Sequence, residues 1–346
     1  MDYVYICPEP GGVTMRILLD GMGGDNAPYA VCQGAVMAAR EIEHEIIIIG
    51  DSEKIENALN KIAGKNMPSN ISICHASEVI TNNESPALAI RRKKDSSIVK
   101  GMKMLKEGEG DLFISAGSTG ALLAGGLLII GRIRGIDRPA ICTIYPILGG
   151  EASLLCDAGA NAECKPRNLV DFAIMSSIYM EKVLGRENPT VALVNIGEEE
   201  EKGSPLTKET FELLKQTHLN FKGNIEARDV PKGKADIIVT DGFTGNIILK
   251  LTEGMAWNIF KTIKKKFTDG IHARLGSLLL LDKLKELKKE FDYSSYGGAP
   301  ILGIKRPVVK MHGSSSDKAV KNTILKAVVF AEQDVINIIE NSISPM

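Results

Sequence analysis

The chain has 346 residues, 44% of them hydrophobic and 25% charged, with a formal net charge of −1. This is an ordinary globular composition, long enough for one large α/β unit or two lobes, and it excludes a disordered or collagen-like chain. The near-neutral balance also argues against a nucleic-acid binder driven by overall charge, because affinity for a phosphate backbone needs a basic excess.

In chain order, residues 1–14 carry neither a basic start nor an apolar run. They do not read as a signal peptide, and the fold is expected to open at Met15 with this extra segment disordered. Strands are predicted at Arg16–Asp20, Glu45–Gly50, 70–75, 111–116, Ala140–Pro146, 153–156, Thr190–Asn195, 220–225 and 236–240. Helices are predicted at 30–41, 96–107, 121–130, 207–217 and 317–340. The runs Ile46 to Ile49 and Ile237-Ile238-Val239 are continuously apolar, as strands covered on both faces are. Alternation of strand and helix predicts a doubly wound α/β sandwich with a mostly parallel sheet, built as a single domain over 15–346.

The segment 253–291 departs from this rhythm, being helical, basic and apolar together. Leu280, Leu284, Leu287 and Phe291 recur at helical spacing among Lys283, Lys285, Lys288 and Lys289. It reads either as a packing helix with a solvated basic face or as an amphipathic element lying on an anionic membrane. No run of eighteen apolar residues exists to span a bilayer.

The residues that can carry chemistry sit in loops after predicted strands, where parallel sheets bind ligands. Asp20-Gly-Met-Gly-Gly-Asp25 contains Gly23 and Gly24, and Ser115-Ala-Gly-Ser-Thr-Gly120 contains Gly117, Ser118 and Thr119. Either loop serves as a backbone cradle for an anion or simply as a turn and a capped helix start. Asn161 and Lys165 follow Asp157, Lys202 precedes Gly203, and Asp241, Thr244 and Asn246 follow the apolar run ending at Val239. Two further glycine-flanked clusters are Tyr296-Gly-Gly-Ala and His312-Gly-Ser-Ser-Ser316. The run Arg91, Arg92, Lys93 and Lys94 is a solvated helix face or a contact for phosphate or an acidic carrier protein.

Much is absent. There is no dinucleotide fingerprint, Walker loop, Gly-x-Ser-x-Gly elbow or metal-ligand spacing. None of the six cysteines forms a Cys-x-x-Cys pair, so they read as reduced thiols; Cys164, beside Lys165, is the one conceivable nucleophile. Small polar loops with lysine and asparagine suit gripping an oxyanion better than supplying a nucleophile. Direct transfer between two bound substrates is the expected chemistry.

Taken in series, these segments resemble the acyl-carrier-protein:phosphate acyltransferase family of bacterial phospholipid synthesis. The resemblance runs from Met15 to about Val335 and includes Arg91-Arg-Lys-Lys-Asp-Ser-Ser, Gly131-Arg-Ile-Arg-Gly-Ile-Asp-Arg-Pro, Lys202-Gly and Thr240-Asp-Gly-Phe-Thr-Gly-Asn. It implies a Rossmann-like α/β/α homodimer related to the isocitrate-dehydrogenase-like and phosphate acetyltransferase folds, with no metal or other cofactor. It implies a cytoplasmic, peripherally membrane-associated enzyme, with Leu280, Leu284 and Leu287 as the membrane contact. Its partners would be acyl carrier protein, inorganic phosphate and the downstream glycerol-3-phosphate acyltransferase.

Under that resemblance phosphate attacks the acyl thioester directly. A thiol with a pKa of about 8.5 leaves readily, so orientation and oxyanion stabilisation matter most. Lys202, Asp241 and Asn246 are the expected catalytic residues, although Glu201 stands where relatives carry a second lysine. Asp20, Gly23, Gly24, Gly117, Ser118, Thr119, Gly120, Asn161, Lys165 and Thr244 are the expected substrate-binding residues. The competing classes are a phosphate acetyltransferase acting on acetyl-CoA, a dehydrogenase, and a non-catalytic lipid-binding protein.

Overall fold

The four-isoleucine run forms β2 (Glu45–Gly50), in which Ile46, Ile48 and Ile49 are fully buried between two layers of helices. This computed structural model describes residues 14–147, 149, 152–290 and 297–343, so residues 1–13, Phe291 and Tyr296 lie outside it. The other strands are β1 (Arg16–Asp20), β3 (Ile71–His75), β4 (Leu112–Ser115), β5 (Ala140–Pro146), β6 (Ala152–Cys156), β7 (Thr190–Asn195), β8 (Asn220–Glu226), β9 (Ile237–Val239), β10 (Ala299–Leu302) and β11 (Val308–Lys310). Among the described residues all eleven join one sheet in the order β3-β2-β1-β4-β11-β10-β5-β6-β9-β7-β8.

The direction of the strands decides where the loops go. β1, β2, β3, β4 and β11 are mutually parallel, as are β6, β7, β8 and β9. Between these blocks β10 runs antiparallel to both β11 and β5, and β5 antiparallel to β6. The two parallel blocks therefore point in opposite senses. Loops after β1, β4 and β11 emerge at one end of the sheet, and those after β6, β7 and β9 at the other.

Helices cover both faces. On one, α1 (Tyr29–Ala39), α2 (Ser52–Ile62), α6 (Pro166–Lys182), α7 (Pro205–Lys215), α10 (Asp317–Glu332) and α11 (Val335–Ser342) contribute Val31, Ile55, Phe172, Leu214, Val320 and Ile339 to one core. On the other, α3 (Pro86–Arg92), α4 (Ser97–Glu107), α5 (Thr119–Gly125) and α8 (Gly242–Phe267) contribute Ile90, Ile98, Leu122 and Ile248. Polar caps start several of them: Asp51 accepts from Lys54 N, Ser96 from Val99 N and Ser316 from Ala319 N.

Several details differ from the sequence expectation, which has no counterpart to α2, α3 or α6. β10 and β11 escape it because each has only three or four residues, and β10 contains Pro300. The single helix expected over 317–340 is α10 and α11, separated at Asp334, whose φ of 51° breaks the helical path. The unusual segment is two helices, α8 and α9 (Ile271–Glu290), divided at Gly270 with φ 87°. Only Gly242, Gly245 and Ile248 of α8 are buried, so its first turns pack on the sheet and the rest stands clear.

Candidate active site

At the end of β1, the Asp20 carboxylate is fully buried and organises two loops. Its Oδ1 accepts from Met22 N and Gly23 N at 3.1 Å each, while Ser115 Oγ, at the end of β4, donates to Oδ2 at 2.6 Å. Gly117 N donates in turn to Ser115 Oγ at 2.9 Å. The loops touch so closely that a Cβ on Gly23 would lie 2.4 Å from Asp20 Oδ2 and 2.5 Å from Gly117 N. Glycine is required there by contact, not by conformation. Ser118 then caps α5 by accepting from Ala121 N, leaving Thr119 and Gly120 in its first turn, with Gly120 against Pro86.

β11 brings a cation to the same end. Lys310 Nζ donates to the carbonyls of Ala116 and Met311, which ties it to the loop after β4. Two residues on, Ser314 N donates to His312 Nδ1 at 3.2 Å, and Ser314 Oγ lies 2.9 Å from the same atom. The neutral ring therefore carries its proton on Nε2. Asp25 N donates to Gly313 O at 2.7 Å and Asn26 Nδ2 to the carbonyls of Ser314 and Ser315, so the β1 and β11 loops are stitched together.

Electrostatics single out this end. Burial pushes the Lys310 ammonium down to about 8; Asp20 and Asp25 oppose that shift, while Lys250 on α8 adds repulsion. Burial likewise holds His312 below its ordinary value, against Glu253 and together with Lys250 and Lys310. Two lysines and an imidazole thus share this end with three carboxylates, Asp20, Asp25 and Glu253, and Lys250 Nζ is paired with Glu253 Oε2 at 2.7 Å.

The remaining sequence-predicted residues stand at the opposite end. Asp157, after β6, accepts from the amides of Ile141, Gly159, Ala160 and Asn161 and from Asn161 Nδ2. Asn161 Nδ2 also reaches Pro139 O at 2.7 Å. Asp241 caps α8 through Thr244 N and Thr244 Oγ1, both at 2.8 Å, and Asn246 is exposed beside Gly159. Lys165 precedes α6, its N–H held by Asn168 Oδ1. Lys202 is exposed after β7, its carbonyl held by Asn195 Nδ2, and its ammonium meets no partner among the described residues. From Asp241 to Lys250 and Glu253 the helix climbs about 14–18 Å at 1.5 Å per residue, so the two ends do not share one first layer of contacts.

Elsewhere, Lys93 turns inward to Val79 O and Glu84, leaving Arg91, Arg92 and Lys94 exposed. Cys164 is no activated nucleophile: burial, with Asp157 and Asp241 nearby, pushes its thiol up to about 11. Among the described residues no group of three or more His, Cys, Asp or Glu is arranged for a metal ion. Lys310, Lys250 and Glu253 were missed from the sequence. Lys310 ends a three-residue strand and the other two lie within a helix, so only the His312 cluster hinted at them.

Comparison with known proteins now bears on the site. Residues 15–338 match the family model described as fatty acid synthesis protein. The chain is 52% identical over 333 residues to the phosphate acyltransferase of Alkaliphilus oremlandii, covering 96% of this chain and 98% of that one. It is 49% identical over 330 residues to that of Clostridioides difficile, covering 95% and 96%. Among solved structures, a Streptococcus pyogenes phosphotransacetylase superposes with a TM-score of 0.62 at 19% identity, over 93% of this chain and 95% of that one. A branched-chain phosphotransacylase from Enterococcus faecalis gives 0.57 at 16% identity, over 92% and 99%. These two show the shared fold. By the family match and the near-full-length relatives, the chain belongs to the fatty acid synthesis protein family, among its phosphate acyltransferases.

Proposed function

We propose that the chain transfers a long-chain fatty acyl group from acyl carrier protein to inorganic phosphate, giving an acyl phosphate for glycerol-3-phosphate acylation. The observation that carries this reading is the position of Lys310, whose Nζ donates to the carbonyls of Ala116 and Met311 beside the loops that Asp20 and Ser115 join. A phosphate oxygen attacks the thioester carbonyl, the C–O bond forms, and the C–S bond breaks to release the carrier's thiol. Lys310 holds the phosphate, and His312 Nε2–H donates to the developing oxyanion. An ammonium 4 Å from a unit negative charge gains about 4 kcal/mol at an effective dielectric near 20, against about 1 kcal/mol in water. That contrast favours half-buried Lys310 over exposed Lys202 as the charge partner.

The test is free-thiol release from a long-chain acyl carrier protein. We expect release that requires phosphate and matches acyl phosphate formed. Release of equal rate without phosphate, or faster turnover of acetyl-CoA, would replace this reading with a thioesterase or an acetyltransferase.

The assembly we propose is a cytoplasmic homodimer that touches an anionic membrane through the α8–α9 pair and serves the downstream acyltransferase there. Phe243, Ile247, Leu251 and Met255 are exposed at four-residue spacing, which supports a helix-packing face for a second copy. On α9, Leu280 and Leu287 are exposed and Leu284 half-buried, while no described helix is long and apolar enough to cross a membrane. Replacing Leu280 and Leu287 by glutamate is expected to lower binding to anionic vesicles about tenfold in a flotation assay, with turnover of soluble substrate retained. Unchanged flotation would return α9 to a packing role.

A further inference from the structure

The segment Gly131–Arg–Ile–Arg–Gly–Ile–Asp–Arg138 takes no part in the site above, yet the fold gives it a defined position. It is laid against the turn between β10 and β11. Arg132 bridges Ile304, Ile133 N donates to Gly303 O at 3.0 Å, and Lys305 N donates to Gly131 O at 3.0 Å. Gly303 has φ 91° and packs on Ile136 and Pro139, so the contact continues along the segment.

This pairing concentrates charge. Residues 131–138 and 303–306 bring Arg132, Arg134, Arg138, Lys305 and Arg306, all exposed, together with a single carboxylate, Asp137. Asp137 is taken by Arg132 Nη1 at 3.2 Å. No hydrogen bond or ion pair among the described residues engages Arg134 or Arg306. A chain with a net charge of −1 thus presents four uncompensated cations on two interlocked loops. The run 91–94 is the weaker patch, since Lys93 is spent on Glu84.

The patch lies just before β11, and Lys310 ends that strand. Val308 and Val309 between them are buried in the sheet, so a partner seated on the patch does not touch Lys310 directly, and a substrate it carries on a flexible arm approaches over the surface. On the other side, Asn161 Nδ2 grips Pro139 O beside Arg138, which makes the patch a rigid ledge.

We propose that these paired loops are the docking surface for the acidic face of the acyl carrier protein. This rests on the acyl-transfer reading above and adds where the carrier sits. A surface of exposed arginines recognises carboxylates through charge and forked hydrogen bonds, and it makes encounter rates depend on salt.

The experiment compares two thioesters of the same acyl chain, one on carrier protein and one on free pantetheine, in wild type, Arg134→Glu/Arg306→Glu and Arg91→Glu/Lys94→Glu. The expected result is a KM for acyl carrier protein raised 10- to 100-fold in the first variant, with kcat/KM for the pantetheine thioester within twofold of wild type. The second variant should stay within threefold on both substrates. A carrier KM unchanged in Arg134→Glu/Arg306→Glu, or a loss shared equally by both thioesters, overturns the docking surface while leaving acyl transfer intact. Wild type that transfers neither acyl group to phosphate overturns the underlying reaction instead.

Discussion

Lys310→Met should lower kcat/KM for phosphate roughly 100- to 1,000-fold, the range seen on losing one charged or oxyanion contact in a desolvated site. The loss should fall mainly on the phosphate term, because the side chain is tied to Ala116 O and Met311 O beside the glycine loops. A pH profile gives the sharper readout. With its ammonium pushed down to about 8, wild type should lose kcat/KM as pH rises through that value. Lys310→Arg keeps its charge at any accessible pH, so the alkaline limb should move up by two units or more even if the maximal rate falls.

Unfolding does not mimic this limb. The folded pKa of Lys310 lies below its ordinary 10.5, so the charged form is disfavoured in the fold. Its unfavourable contribution is fully present below about 8 and disappears as pH rises toward 10.5. Lys326, lowered to about 8 by burial, acts in the same direction. An unchanged limb in Lys310→Arg, or a phosphate KM that responds to Lys202→Ala and not to Lys310→Met, would move the anion site to the other end of the sheet.

The contrast between the two lysines shows what the sequence makes legible. Loop chemistry is local, so Asp20, Gly23, Ser118 and Asp241 can be found by their glycines, caps and neighbouring apolar runs. Buried strands such as Ile46 to Ile49 declare themselves by continuous hydrophobicity. Strand direction does not. The antiparallel steps on either side of β10 cancel, so the reversal between the two blocks falls at the β5–β6 pair, while β10 and β11 are short runs that include Pro300 and carry no periodicity. Read without that pairing, every strand-end loop faces one pocket, and Lys202 lies as close to Asp20 as Lys310 does. Lys310 depends on a register, Lys310 opposite Ser115, that only long-range pairing sets.

Asp157→Ala should cost the protein its fold before its chemistry. The carboxylate is wholly buried and accepts from five donors: Ile141 N, Gly159 N, Ala160 N, Asn161 N and Asn161 Nδ2, at 2.8 to 3.2 Å. Each buried donor left unpaired costs about 1–3 kcal/mol, so three or more approach the ~5–15 kcal/mol that holds a typical domain together. Collapse to fill the gap is blocked, because Gly245 already packs so tightly that a Cβ would lie 2.0 Å from Asp157 O. Asp20 differs in having three donors, Met22 N, Gly23 N and Ser115 Oγ, beside the half-exposed Met22. We therefore expect Asp157→Ala to lose its cooperative melting transition in calorimetry or circular dichroism. Asp20→Ala should still melt cooperatively while turnover falls at least tenfold. If Asp157→Ala melts like wild type and loses only turnover, its loop belongs to the reaction, and the chemistry must extend to that end of α8.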